Sequence, residues 1–480
     1  HDSQVCVDFR ESPDDSFVML NAATAAQLDA VKPPAPCDQA EGGCRAETLA
    51  AWGEVIDAAE AAYDRTPACG FTSFVGYEWS SNPGTQNLHR NVIFANENVP
   101  ELPTSYLDEP YVEDMWAALR RDCLDAGTGC DVLAIPHNSN LSNGLMFETR
   151  RQDGSEMDGD YARERAALEP LVEIFQHKGD SECGPELIAE DELCAFEKKE
   201  LIAEDELCAF EKMNYTTLAG ATLGQFSMQP PARDFLRHAL GEGLRLQDSL
   251  GANPFRFGIV ASTDTHLGTP GFVSEQKFAG HGGAGRAVRD SLPPGLIDRP
   301  WFNPGGLAVL WAEENSRESL FAAMRRREAY GTSGPRIVLR FFAASGLPED
   351  VCDRADLSAQ GYARGVPMGG TLAHPGEGLR FLVAAEQDPG VEGAPGTGLE
   401  RVQVVKGWLA QGTPRFRVYD VAQAPGVLTE PAPEAACAAP VEGAARLCAR
   451  WDDPDADPAV PAFYYVRVLE RPSCRWHARA

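Results

Sequence analysis

The 480-residue chain carries 72 Asp and Glu against 42 Lys and Arg, a formal charge of -30, which repels nucleic-acid backbones and anionic membranes. No run reaches the ~18 apolar residues that a membrane-spanning helix needs. Nucleic-acid binding and membrane insertion are therefore excluded as expectations, and an anionic substrate would have to be met by basic side chains or bound cations.

The length predicts two or three domains. In chain order, ETLAAWGEVIDAAEAAY (47–63) places Trp52, Val55, Ile56, Ala59 and Tyr63 on one helical face. FTSFVGYEW (71–79) is aromatic and β-branched and reads as a strand, and the short NVIF stretch after His89 as another. YVEDMWAALRRDCLDAG (111–127) predicts a helix stopped by glycine, and DVLAIPH (131–137) a strand. ARERAALEP is the next helix and LVEIFQ (171–176) the next strand. Helix 232–247 is followed by a strand at 256–262, then by a strand over 306–314. The helix NSRESLFAAMRRREA comes next, with Asn315 as its expected N-cap. Short apolar strands alternating with helices predict a parallel sheet or barrel. Beyond TSGPRI (332–337), IVLRFFAA, LRFLVAAE, RVQVVKGWL, FRVYDV and FYYVRVLE predict an all-β module of strands between Gly/Pro-rich turns. The expected division is 1–336 and 337–480.

Thirteen cysteines without C-x-x-C spacing predict disulfides and an oxidising compartment, periplasmic or extracellular. Close pairs are Cys37 with Cys44, Cys123 with Cys130 and Cys437 with Cys448. ELIAEDELCAFEK occurs twice, at 186–198 and 200–212, a duplication that leaves Cys194 and Cys208 competing for one partner. The chain opens at His1 rather than Met, so a processed or shortened N-terminus is expected, and the missing leader says nothing about export.

The polar residues that end the strands carry the chemistry. Glu78 follows Gly76-Tyr77, His89 precedes the short strand, His137 follows Pro136, and Asp264-Thr265-His266 ends the strand at 256–262. At the strand ends of an α/β barrel such residues converge on one mouth. A mixed carboxylate and imidazole set suits Zn, Mn or Fe, and such ions make hydroxide from water and clamp phosphoryl oxygens. His177 beside Lys178 is the weaker ligand candidate, because the lysine charge opposes a nearby cation and suits an anion instead. His238 lies in an amphipathic helix and reads as structural. His281 lies in the glycine-rich AGHGGAGR, a candidate lid. His374 and His477 read as surface residues of the β module, and His1 as a terminal residue without a role.

GYEWS, NLHRNVIF, IPHNSNLSNGLMF, VEIFQHKGDSEC, ASTDTHLGTPG and AYGTSGPRI together resemble a mostly bacterial family called domain of unknown function 3604. It is similar to the PHP (polymerase and histidinol phosphatase) superfamily of metal-dependent phosphoesterases. The resemblance covers about residues 45–340, and the terminal strands also look like that family's C-terminal part. It implies a distorted TIM-like (β/α)₇ PHP-type barrel with a two- or three-metal centre, followed by a β-sandwich-like domain. Glu78 is then the implied bridging carboxylate, His89 and His137 imidazole ligands, and Asp264 and His266 the closing pair. Arg90, Asn138 and Lys178 are implied substrate contacts. The PHP pattern's initial H-x-H and later D-H are missing here, and His1 is no replacement, so the barrel is expected to lack its first strands through N-terminal truncation. The expected activity is hydrolysis of small phosphate esters by a metal-bound hydroxide. The alternatives are hydrolysis of another ester (a sulfate ester, for example) or an amide, or an inert exported binding protein.

Overall fold

The computed structural model of the chain describes residues 45–184, 230–276, 302–373, 379–391, 395–426 and 442–473, with 7, 11, 12, 278, 280 and 281. The tandem repeat, Cys37, Cys44, Cys437, His1, His374, His477 and most of the glycine-rich loop lie outside the described residues.

Helix α1 (Arg45–Ala62) buries Trp52, whose indole donates to Pro100 O at 3.0 Å and meets Tyr77 edge-on. Ile56 and Ala59 pack on the same core. Val55, expected on that face, is 43% exposed. At 100° per residue it lies ~60° from Trp52, on the edge of the stripe. Three strands follow: β1 (Gly76–Trp79), β2 (Arg90–Phe94) and β3 (Val132–Pro136), with α2 (Val112–Leu119) and a π-turn at Arg120–Leu124 between the last two. Helix α3 (Gly159–Leu168) is capped by the Asp158 side chain. It leads into β4 (Leu171–Gln176), which turns tightly into β5 (Gly179–Asp180). Helix α4 (Leu236–Leu250) precedes β6 (Gly258–Ala261), and β7 (Leu307–Leu310) and α5 (Arg317–Arg326) precede β8 (Ala329–Thr332). Ser316, not Asn315, caps α5, accepting from Ser319 N.

The barrel expectation fails on strand direction. β1, β2 and β3 form an antiparallel sheet, β7 and β8 an antiparallel pair, and β5-β4-β6 a third small sheet. Among the described residues only β4 with β6 runs parallel, and no sheet closes into a barrel. The loop from β1 to β2 contains no crossover helix, so that strand can only come back antiparallel. Leu133 of β3, Leu171 of β4, Val260 of β6 and Ala329 of β8 share a core beneath Phe321 and Met324 of α5. These strands therefore lie side by side although their sheets are separate.

The remaining strands are β9 (Val338–Ser345), β10 (Gly365–Pro367), β11 (Leu379–Glu386), β12 (Leu399–Ala410), β13 (Thr413–Gln423), β14 (Arg446–Asp452) and β15 (Ala462–Glu470), with α6 (Leu357–Arg364) between β9 and β10. They make two antiparallel sheets, ordered β10-β9-β11-β14 and β13-β12-β15. Phe341, Phe381 and Val383 of the first face Val402 and Val404 of the second across one core. The sandwich also joins the N-terminal core. Val405 and Tyr465 pack into it, and Tyr465 Oη accepts from buried Arg237 Nε of α4 at 2.8 Å.

Cys123 bonds to Cys130, as their spacing predicted, but Cys448 bonds to Cys352 across 96 residues rather than to Cys437. Pairing β14 with β11 brings Cys448 to the short turn Val351–Asp353 ahead of α6, a contact that sequence spacing does not carry. Cys183 is also disulfide-bonded. No described helix is long and apolar enough to cross a membrane.

Candidate metal centre

The antiparallel register that removes the barrel builds one ligand group. Trp79 pairs with Arg90, and Arg90 with Pro136, so Glu78, His89 and His137 emerge together at one end of the sheet. His137 N donates to His89 O at 3.3 Å, extending the β2–β3 ladder by one step. His89 Nδ1 lies 2.7 Å and His137 Nε2 3.2 Å from Glu78 Oε1.

A second group forms at the ends of β4 and β6. Gln176 pairs with Gly179, leaving His177 and Lys178 as a two-residue hairpin turn that the positive φ of Gly179 allows. Phe175 pairs with Ala261 in the parallel ladder, which carries Asp264 and His266 alongside. His177 Nε2 lies 3.5 Å from Asp264 Oδ2, and His266 Nδ1 is 2.9 Å from Asp264 O. In each group one ligating atom per residue lies within 4.8 Å of the others. Asp264 and Asn138 both have left-handed backbones, with φ of 52° and 56°. Such conformations are costly outside glycine and cluster at functional sites. Segment 303–306 presses on the second group so closely that a Cβ at Gly305 would come within 2.7 Å of Thr263 Cα.

The protonation states divide the groups: Asp264, Glu78, His89 and His177 are held in the forms that can ligate a cation, whereas His137 holds its proton. Burial works against the Asp264 carboxylate, yet the Lys178 charge and the neighbouring histidines hold it well below the usual range. Burial, then the Lys178 charge, pushes His177 down to about 3, leaving a neutral imidazole. His89 is lowered by burial as well. Against its burial, His137 is pushed up to about 9, chiefly by its contact with Glu78, with Glu173 and Asp264 adding charge. Burial also opposes ionisation of Glu78, but His89 and His137 keep it well below the ordinary carboxylate range. Five buried ring nitrogens, His89 Nε2 and both of His137 and His177, make no hydrogen bond. Buried polar atoms are rarely left so, whereas a metal ligand needs a lone pair uncommitted. The donor set therefore fits a divalent ion such as Zn, Mn or Fe.

Several expectations change. His177, read from sequence as the weaker candidate, falls into one of the two candidate groups, because the lysine charge that argued against it is turned onto Asp264. The signal was present, since His177 ends its strand as His137 does. Arg90, read as a substrate contact, is 1% exposed, with Nε on Glu169 Oε1 at 3.0 Å. Glu169 is shared with Arg165 and the Trp116 indole, so Arg90 braces the core. Asn138 is buried with its amide engaged by Asn87 and Asn140, and positions the loop. His281 is fully buried, with Nε2 2.9 Å from Pro304 O. Sequence reasoning missed Glu173, which lies buried between the groups. Its carboxylate accepts from Asn138 N and Ser262 Oγ, tying the ends of β3 and β6 together. Burial lifts it to about 7, with Asp264 adding and His137 opposing.

Two sets of strand-end carboxylates and imidazoles define a candidate divalent-metal protein that also carries a β-sandwich. The chain belongs to the family described as protein of unknown function, DUF3604, which it matches over residues 7–480. No curated protein and no solved structure matches it.

Proposed function

We propose that the protein is a metal-dependent hydrolase of phosphate esters, related in chemistry to the PHP phosphoesterases, and that it works outside the cytoplasm. The observation that carries this reading is the pairing of two three-residue ligand groups at adjacent strand ends, with buried imidazole nitrogens uncommitted. Glu78, His89 and His137 would hold one divalent ion, and His177, Asp264 and His266 another. Three protein donors leave coordination positions open, as catalytic sites require and structural ones do not. Such ions supply Lewis acidity and offset the repulsion between an anionic substrate and a chain of charge -30.

The chain's own residues prepare the site. Glu173 fixes the separation of the two groups through Asn138 and Ser262. The Gln176 side chain accepts from Lys178 N at 2.6 Å and donates to Asp264 at 3.0 Å, so one amide sets both the turn and the carboxylate. The disulfides agree with an oxidising location. Metal content measured by mass spectrometry, followed by a panel of phosphomonoesters and diesters with Zn²⁺ or Mn²⁺, tests the reading. Two bound ions and hydrolysis of at least one ester class are expected. No bound ion and no hydrolysis would overturn it.

A further inference from the structure

Two donors and one uncommitted imidazole nitrogen converge on one oxygen of the second group. Gln176 Nε2 donates to Asp264 Oδ2 at 3.0 Å, His177 Nε2 lies 3.5 Å from it, and the Lys178 ammonium pairs with the same atom. A divalent ion held by His177, Asp264 and His266 through Oδ2, the oxygen nearest His177, competes there with Gln176 and Lys178. Gln176 lies within β4 and its amide is committed on both sides. The Lys178 backbone is fixed, with its carbonyl accepting from Asn140 Nδ2 at 3.2 Å and its neighbour Gly179 paired in the hairpin. Its flexible four-carbon stem is free to rotate on that fixed base, and the side chain reaches solvent at 16% exposure.

We infer that Lys178 is a cation-displaced anion hook: an ion at His177, Asp264 and His266 takes over the Asp264 carboxylate, and the released ammonium turns to the anionic group of the substrate. The inference rests on the metal reading and deepens it, because it names the residue that meets the phosphate and makes that contact conditional on metal loading. Metal and lysine compete for one carboxylate, whereas metal and phosphate cooperate through the lysine.

The test strips the full chain with a chelator and titrates it with Zn²⁺. Reductive methylation of Lys178, read by peptide mass spectrometry, is expected to rise several-fold as Zn²⁺ binds. In Lys178→Met the binding class that Asp264→Asn abolishes should tighten about tenfold, since a unit charge a few ångströms from the ion is removed. Inorganic phosphate should bind the Zn²⁺-loaded Met variant about tenfold more weakly than the loaded wild type, while Lys178→Arg keeps both the competition and the phosphate contact. Zn²⁺ bound by wild type without a change in Lys178 methylation overturns the hook and leaves the metal reading standing. Equal Zn²⁺ affinity in wild type and Met variant does the same. No Zn²⁺ binding by wild type overturns both. The methylation arm uses wild type, so the answer does not depend on the variant folding.

Discussion

Two lysine–aspartate pairs occupy opposite surroundings in this molecule. In the sandwich, Lys406 Nζ donates to Asp453 Oδ2 at 2.6 Å and to Asp455 O at 2.7 Å, with both side chains almost wholly buried. Asp453 also accepts from Tyr464 Oη at 2.7 Å and from Asp455 N at 2.9 Å, and the Trp408 and Tyr464 rings flank the ammonium. The fixed partners around that pair close it. At the strand ends, the Lys178–Asp264 pair is partly open to solvent and shares its oxygen with an imidazole whose nitrogens make no hydrogen bond. The same chemical pair is thus a staple where its neighbours are saturated and exchangeable where they are not. Removing one partner of a closed buried pair strands a charge; at the open pair, a cation can take the lysine's place.

That contrast breaks most sharply in the sandwich. Lys406→Met should cost roughly 3–5 kcal/mol of stability in chemical unfolding and leave metal content unchanged. A loss below 1 kcal/mol would show that the pair is not closed. Asp264→Asn should do the reverse, lowering metal affinity by about 100-fold or more in an equilibrium titration. Its metal-free unfolding midpoint should stay close to wild type.

Asp234 adds a third case, a buried carboxyl without a lysine. Ser142 Oγ and Gly144 N donate to it at 2.7 and 2.6 Å, yet burial pushes it up to about 7 from its ordinary 3.8. Because the folded value is raised, its contribution to stability is fully present below pH ~4 and is lost as pH rises through about 7. Asp234→Asn, which still accepts both bonds, should therefore gain on wild type by on the order of 4 kcal/mol between pH 4 and 8. A difference that stays flat across that window would mean that the carboxyl ionises freely in the fold. The smallest effect belongs to a helix end: Ser316→Ala should cost about 1 kcal/mol and Asn315→Ala much less, since Ser316 caps α5.

Most members of the two candidate groups were legible because their signal is local. Glu78, His89, His137, Asp264 and His266 each stand where an apolar strand gives way to polar residues, and all five fall into the two groups. His177 was obscured by its neighbour, since a lysine beside a histidine in sequence says nothing about where the ammonium points. Arg90 was a substrate contact only as the family resemblance implied, but successive residues of a strand face opposite ways, and it points to Glu169 in the core. Glu173 lay inside an apolar strand with no flanking signal.

Hydrophobic period and strand-end chemistry depend on neighbours in the chain, and these named the helices ahead of the sandwich, most of the strands and five of the six candidate-group residues, but not helix α6. Strand direction, register and the cross-chain disulfide are set by contacts between distant segments, which period-two and apolar-run patterns leave open. Parallel and antiparallel sheets both use short apolar strands, so the barrel was a fair reading of the pattern and wrong about the fold. The antiparallel β1-β2-β3 register then decided the chemistry, because it sets Glu78 against His89 and His137. Folding alone turned Lys178 from a neighbour of His177 into the ion-pair partner of Asp264.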